Sequence, residues 1–256
     1  MSKKLKLYFQ LLEVLTIREL KSRYRASILG PLWIIIQPLL TTLFLAVVFE
    51  KIVKIKINNI PYFLFLYSGI MVWNFFEQSI NLAKESLVWN RDLITKSKFN
   101  KEVLPISYVL SKIIDYLVNF LVFLILLIIY HFKIKLLFFI TIFNLFPLFL
   151  TVTSVSLIFS ALNAIFRDFG RIIEFILLLG FYATPIIYSE NMIPEKIKIF
   201  IQINPLSYII NFNRQVFFEN KVDYYNLFLP AIFGVIFFII SWLIFKKLEK
   251  KIVDLI

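Results

Sequence analysis

The sequence contains no cysteine, a single histidine and five glycines. The absence of cysteine excludes disulfides, thiolate metal sites and thiol redox chemistry. None of the glycines begins a G-x-x-x-x-G-K-[ST] match, so a second chain would have to bind ATP if ATP drives this protein. His131 follows a long apolar run and is interpreted as an ordinary loop residue.

Charge is also scarce, and its placement is informative. Charged residues make up 17% of the chain and hydrophobic residues 60%, whereas a soluble domain carries about 25% charged residues. The mean hydropathy is +0.84. The net charge of +12 does not predict nucleic-acid binding, because the basic residues flank apolar blocks rather than forming a soluble basic face. The composition therefore predicts an integral membrane protein.

A basic N-terminal stretch runs directly into the first apolar block. Residues 31–49 carry no charge, and at about 1.5 Å per residue they are just long enough to cross a bilayer core. Arg18, Lys21, Arg23 and Arg25 precede this block, which predicts a cytoplasmic N-terminus. Residues 1–30 lack the short apolar core and small-residue cleavage site of a signal peptide.

The hydropathy pattern predicts six transmembrane helices in one membrane domain that covers residues 1–256. The predicted spans are 31–49, about 57–80, about 104–130, a segment within 136–166 that Pro147 is expected to kink, about 172–188 and 224–245. With the N-terminus inside, the cytoplasmic segments hold 18 Lys and Arg against nine in the outer segments. This two-to-one bias predicts that both termini are cytoplasmic.

Two further segments are predicted to be helical without spanning the bilayer. Residues 1–30 contain an amphipathic helix, with Arg18, Lys21 and Arg25 along one flank, which is typical of a helix in the inner membrane interface. Its apolar residues at helical spacing are Leu5, Phe9, Leu12, Leu20, Tyr24 and Ile28. Residues 189–219 are broken by Pro194 and by Asn204-Pro205, which predicts two short re-entrant helices in the outer leaflet.

Ionisable residues within the spans lie towards their cytoplasmic ends. They are Glu77, Lys112 with Asp115 three residues later, and Glu174, which is expected to pair with Arg171. They fit helix-end charges, a charged cytoplasmic vestibule of a transport path or a proton relay. Five aromatic residues are candidates for a path wall along which sugar C–H faces slide, namely Trp33, Tyr67, Trp73, Tyr182 and Tyr188.

The cytoplasmic loop 88–104 is the best candidate for docking a partner. It is polar, ends at a proline that begins a span, and is predicted to form a short helix parallel to the membrane. A solvated loop is the alternative.

Five blocks of sequence, in order along nearly the whole chain, resemble the type-2 ABC transporter permeases that export polysaccharides such as O-antigen and teichoic acid. The blocks are RELKSRYRASILGPLW…QPL at 18–39, LITKSKFNKEVLP at 93–105, NAIFRDFGRII at 163–173, ATPIIY at 183–188 and NPLSY at 204–208. Asn100 departs from the family, where many relatives carry proline, and this affects the expected shape of the loop.

The resemblance implies a homodimer in the cytoplasmic membrane, with the substrate path between the copies. Each copy would dock one separate ATPase subunit, which holds ATP and Mg, so this chain would be a transport subunit and no enzyme. The docking loop would then be a coupling helix whose contact residues are Arg91, Asp92, Leu93, Ile94, Lys96 and Lys98.

The resemblance further implies that the N-terminal helix is a gate. Its Arg18, Lys21 and Arg25 would attract the pyrophosphate of a polyprenyl-linked glycan. The other expected partner is membrane lipid, and no nucleic-acid partner is expected. The alternatives are a permease for a small drug or a lipid, and a membrane-embedded glycan-processing enzyme.

Overall fold

The structure, a computed structural model, describes residues 3–24, 28–55, 57 and 60–255, and within them it is helical with no β-strand. The helices are α1 (Lys3–Tyr24), α2 (Trp33–Ala46), α3 (Tyr62–Trp89), α4 (Arg91–Lys96), α5 (Val103–Ile129), α6 (Leu145–Ile165), α7 (Phe169–Ala183), α8 (Glu195–Ile203), α9 (Pro205–Arg214) and α10 (Tyr224–Leu255). Short 3₁₀ turns precede α2 and α6, and π-helical turns follow α2 and α9. The all-helical prediction is confirmed.

Among the described residues, four helical segments are long and apolar enough to cross a membrane. They are Gly30–Ile52, Val103–Ile129, Leu136–Ile165 and Tyr224–Ile252. They coincide with the first, third, fourth and sixth predicted spans. The chain is therefore a multi-pass membrane protein of helical type.

The other two predicted spans form helices of a different character. The 28-residue α3 is long enough to span but carries Asn74, Glu77 and Gln78 in its middle. The 15-residue α7 extends only about 22 Å, less than the hydrocarbon core of about 30 Å. The count of six spans therefore stays a prediction.

Helix α3 lies at the centre of the fold, which explains why it tolerates polar residues. It packs against α2, α5, α6, α7 and α9, and its side chains from Leu64 to Trp73 are all buried. Because protein surrounds much of this helix, Glu77 accepts a hydrogen bond from the Trp73 indole and Gln78 accepts one from Lys112.

The fourth apolar block changes helix type along its length. Residues Leu136–Asn144 form a 3₁₀ helix, and α6 begins at Leu145. Pro147, which was expected to kink this span, lies in the first turn of α6, where its missing N–H costs nothing. The irregularity therefore precedes the proline.

Two short helices, α8 and α9, occupy the segment predicted to be re-entrant. Asn204 ends α8 and starts α9, since its Oδ1 accepts a hydrogen bond from the Leu206 N–H at 3.0 Å and Pro205 follows as the first helical residue. At the end of α9, the buried Arg214 donates to the carbonyls of Phe65, Pro185 and Ile186. This side chain joins α9 and the segment after α7 to α3.

At Gly69, α3 lies close against that segment. A Cβ at this position would lie 3.0 Å from an Arg214 nitrogen and 3.3 Å from the Ile186 Cα. We expect Gly69→Val to destabilise the fold by about 1–3 kcal/mol, because the backbone around Ile186 must move. The midpoint of thermal unfolding in detergent measures the effect. Ala183→Val adds similar bulk at an exposed position and is the control. An unchanged midpoint for Gly69→Val would contradict the close packing.

Candidate functional site

The loop predicted to dock a partner contains the six-residue helix α4, which confirms the predicted short helix. Its charged residues point away from the fold, while its apolar residues point into it. Arg91, Asp92, Lys96 and Lys98 are exposed, whereas Leu93 is half-buried and Ile94 is buried. The predicted coupling residues thus divide into an exposed charged surface and an apolar anchor.

An apolar cluster at one end of the bundle holds this anchor. Ile94 packs there with residues of α1, α3, α5, α6 and α10, and the buried members besides Ile94 are Leu15, Leu87, Val103, Leu104, Ile106, Leu157, Ala161, Phe245 and Ile252. Five helices therefore converge on α4, and a displacement of α4 disturbs all of them, because packed interiors do not deform freely.

Four charged residues connect α4 to α5 and α10, and we call them the α4–α10 clasp: Lys101, Glu102, Lys246 and Glu249. The Lys101 ammonium donates to the carbonyls of Ile94 and Ser97 at 3.2 and 2.8 Å, which occupies the C-terminal carbonyls of α4. The Lys101 backbone N–H donates to Glu249 at 3.1 Å. Lys246 lies 2.7 Å from Glu102 and 2.9 Å from Glu249.

Lys101 and Glu102 are the buried members of the clasp. Burial lowers the pKa of Lys101, and the charge of Glu249 partly offsets this effect. Burial, together with the charge of Glu102, raises the pKa of Tyr8 on α1 to about 12. The clasp therefore lies against α1 as well as between α4 and α10.

Helix α1 confirms the predicted N-terminal helix and contacts α4 through one of the predicted gate residues. Arg18 donates to the Asn90 side chain at 2.6 Å, and Asn90 is the residue between α3 and α4. Lys21 is exposed, and Arg25 lies outside the described residues. The predicted gate and coupling segments are thus in direct contact.

The side of α1 that packs against the protein is distinct from the apolar side predicted to lie in the membrane interface. Leu15 and Glu19 are buried, whereas Leu5 and Phe9 are exposed. The buried side carries an acid because Glu19 lies in an i,i+4 pair with Arg23, 3.9 Å away.

Arg23 lies on the same buried side of α1 and belongs to a cluster of three charged residues, which we call the Arg23–Asp115–Lys112 triad. The Asp115 Oδ2 lies 3.0 Å from Arg23 and 2.7 Å from Lys112. Lys112 also donates to Gln78 at 2.8 Å, and Arg23 donates to Ser111 at 2.7 Å. The prediction that Lys112 and Asp115 share a face is confirmed. The contribution of Arg23 was missed, although its spacing from Glu19 indicated that it lies on the same face of α1.

The five candidate aromatic residues fall into two groups. Tyr67 and Trp73 are buried in the core, where the Tyr67 hydroxyl contacts Asn119 at 2.9 Å and the Trp73 indole donates to Glu77 at 2.8 Å. Trp33 and Tyr182 are exposed, and the Tyr188 hydroxyl donates to the Tyr182 carbonyl at 2.9 Å. The core pair therefore packs the interior of the chain, and the other three remain accessible.

The expected pairing of Glu174 with Arg171 is wrong. Glu174 instead lies 2.6 Å from the buried Lys84 of α3. The reason is that α7 packs along α3, so a buried lysine on α3 needs a carboxylate from α7.

The fold and this site define a class: a multi-pass helical membrane protein that presents a small charged helix, rigidly anchored, at one end of its bundle. Residues 10–218 match the model of the ABC-2 type transporter family. The chain therefore belongs to that family, and the family predicted from the five sequence blocks is confirmed.

The relatives agree with this assignment over most of their length. The chain is 34% identical over 250 residues to an O-antigen export system permease protein RfbA of Klebsiella pneumoniae, covering 97% of this chain and 95% of the relative. It is 30% identical over 228 residues to the protein of the same name from Myxococcus xanthus, covering 84% and 83%. The polysialic acid transport protein KpsM of Escherichia coli is 23% identical over 217 residues, with 79% of each chain covered.

Proposed function

We propose that this chain is the membrane-spanning permease subunit of an ABC exporter that moves lipid-linked polysaccharide, of O-antigen, teichoic acid or capsule type, across the cytoplasmic membrane. The observation that carries the proposal is the near full-length similarity to permeases named for O-antigen export, joined to the family match over residues 10–218. The charged surface of α4 supports it as the place where an ATPase subunit docks.

The topology we propose has six spans, formed by α2, α3, α5, α6, α7 and α10, with both termini in the cytoplasm. The two-to-one excess of Lys and Arg in the cytoplasmic segments supports this orientation. The short α7 is followed by Thr184–Ile187, which are buried against the protein. Non-helical backbone at membrane depth is tolerated only with such cover. Helices α8 and α9 then close the outer side.

The working assembly is a homodimer with two ATPase subunits, which hold ATP and Mg, and the glycan path runs between the first and fifth spans of the two copies. Helices α2 and α7 each bury only three residues against their own chain, so most of their apolar surface is available to lipid or to a second copy. The aromatic residues we place along the path are Trp33 on α2, Tyr182 at the end of α7 and Tyr188 in the segment that follows α7.

Movement of the ATPase displaces α4, and two sets of contacts transmit this displacement to other helices. The first runs through the Arg18–Asn90 hydrogen bond to α1, the proposed gate helix, whose Arg18, Lys21 and Arg25 attract the pyrophosphate of the substrate. The second runs through the α4–α10 clasp to the last span. Because Ile94 anchors α4 in a packed cluster, α4 moves with its neighbours rather than sliding over them.

Removing the exposed charges of α4 is expected to uncouple the ATPase from export. In the triple variant Arg91→Ala, Asp92→Ala and Lys96→Ala, we expect export to fall about tenfold or more, since each charge-assisted contact to a partner contributes about 1.5–3 kcal/mol. Stability should change little, because these side chains are exposed. Export and ATP hydrolysis are measured together in vesicles. Full export by the triple variant would contradict the role of α4.

The proposal is tested by purifying the tagged chain from native membranes after mild extraction and identifying the chains that accompany it. We expect an ABC ATPase subunit at one copy per permease, and the α4 triple variant should recover less of it. A homo-oligomer without any ATPase would overturn the exporter proposal and favour a secondary transporter or a glycan-processing enzyme.

A further inference from the structure

The Arg23–Asp115–Lys112 triad lines a cavity of about 210 Å³ between the end of α1, the start of α2 and the middles of α3 and α5. The lining also includes four amide side chains, those of Gln37, Asn74, Gln78 and Asn119. The volume is many times the ~15 Å³ that one water requires, so a group of several heavy atoms fits.

The side chains that line this cavity favour binding of an anion with several acceptor oxygens. The charged residues of the described lining are Arg23, Lys112 and Asp115, which sum to +1. Glu19 lies 3.9 Å from Arg23 but outside that lining. Lys112 carries three N–H donors, of which Gln78 and Asp115 accept two. Amide N–H groups and a remaining ammonium proton are suitable donors to phosphate oxygens.

Two residues of the triad lie in a membrane-spanning segment, where burying ionised groups for a purely structural role is energetically unfavourable. Lys112 and Asp115 lie within the α5 segment that is apolar enough to span a membrane, and both are buried. Ionised groups at such positions cost several kcal/mol to desolvate and usually mark substrate or ion pathways.

A second, larger cavity of about 410 Å³ lies beside Arg214, but its charged residues differ from those of the triad. The Arg214 guanidinium donates to three backbone carbonyls, and the acidic Glu190 and Glu219 line the same space. That cavity does not favour an anion.

We propose that the cavity of the triad binds the phosphate-bearing headgroup of a lipid, held by Lys112 and Arg23. This inference rests on the proposed function for its setting: the cavity adjoins α1, the proposed gate, and the start of the first span, where a lipid-linked substrate would arrive from the inner leaflet. The diphosphate of a polyprenyl-linked glycan and the phosphate of an anionic phospholipid share this chemistry.

The test uses the full chain in nanodiscs of phosphatidylcholine, without any ATPase, titrated with three probes and followed by native mass spectrometry. The probes are a polyprenyl diphosphate, the corresponding neutral polyprenol and phosphatidylglycerol. We expect the diphosphate to bind about tenfold or more tightly than the polyprenol, because charge-assisted hydrogen bonds distinguish them. Stronger binding of phosphatidylglycerol than of the diphosphate would support the phosphate site and assign it to a phospholipid.

Substitutions in the triad are expected to change the affinity for the diphosphate in opposite directions. Lys112→Gln and Arg23→Gln should each weaken diphosphate binding about tenfold. Asp115→Asn should strengthen it by removing the competing carboxylate. Lys84→Gln removes another buried, ion-paired lysine, outside the cavity, and should leave the affinity unchanged.

Equal binding of the diphosphate and the polyprenol, or no loss in folded Lys112→Gln and Arg23→Gln, would overturn the phosphate site. Because this assay contains no ATPase, its failure is distinct from failure of the exporter proposal, which would appear as an absent ATPase partner with binding intact.

Discussion

Asp115→Ala is expected to lower the stability of this protein by about 3 kcal/mol or more, the largest effect we expect from a single substitution. The Asp115 carboxylate lies 3.0 Å from Arg23 and 2.7 Å from Lys112, and its removal leaves two cations facing each other in a buried position. Breaking a buried ion pair from one side costs about 3–5 kcal/mol. The midpoint of thermal unfolding in detergent should fall by about 6 °C or more.

Two further variants separate charge repulsion from lost packing. Lys112→Met combined with Asp115→Ala returns the triad to one positive charge, so part of the lost stability should return. Glu13→Ala removes an exposed acid from α1 and should change the midpoint little. A wild-type midpoint for Asp115→Ala would show that the triad does not stabilise the fold, and no recovery in the double variant would exclude repulsion as the cause.

Breaking the α4–α10 clasp is expected to reduce export about tenfold while leaving ATP hydrolysis in place. Glu102 is buried and lies 2.7 Å from Lys246, so Glu102→Gln and Lys246→Met each remove a charge-assisted hydrogen bond of about 1.5–3 kcal/mol. If the pair acts as one unit, the double variant should export no more slowly than the worse single variant, because interacting residues do not add. Export and ATP hydrolysis in vesicles are the two measurements.

The neighbouring Lys247 provides the matched control, since it is exposed on the same turn of α10. Lys247→Met removes the same charge without touching Glu102 and should export normally. Additive losses in the double variant, or wild-type export by both single variants, would show that α10 does not receive the movement of α4 through this pair.

The sequence predicted the parts of this fold that depend on local pattern. The uncharged block 31–49 corresponds to Gly30–Ile52, and the block 104–130 to Val103–Ile129, because length and apolarity alone define such helices. The α4 helix was predicted within its loop for the same kind of reason, as a polar interval between two apolar blocks. The Asn204-Pro205 break between α8 and α9 follows from capping chemistry.

The parts that depend on distant pairs escaped sequence analysis. Glu102 and Lys246 are 144 residues apart, and no periodicity links them. Lys84 could not be assigned to Glu174 for the same reason. Tyr67 and Trp73 could not be recognised as core residues, because an aromatic residue in a long apolar helix faces lipid, a path or the interior with the same sequence pattern.

The central claim, that this chain is the permease of an ATP-driven exporter of lipid-linked polysaccharide, is tested most directly by transport in reconstituted vesicles. The chain and its co-purifying ATPase are incorporated together, and movement of a lipid-linked glycan across the bilayer is followed with and without ATP. The account predicts transport that requires ATP and both proteins and that falls about tenfold or more in the α4 triple variant. Transport by this chain alone, or chemical alteration of the glycan without transport, would contradict the account.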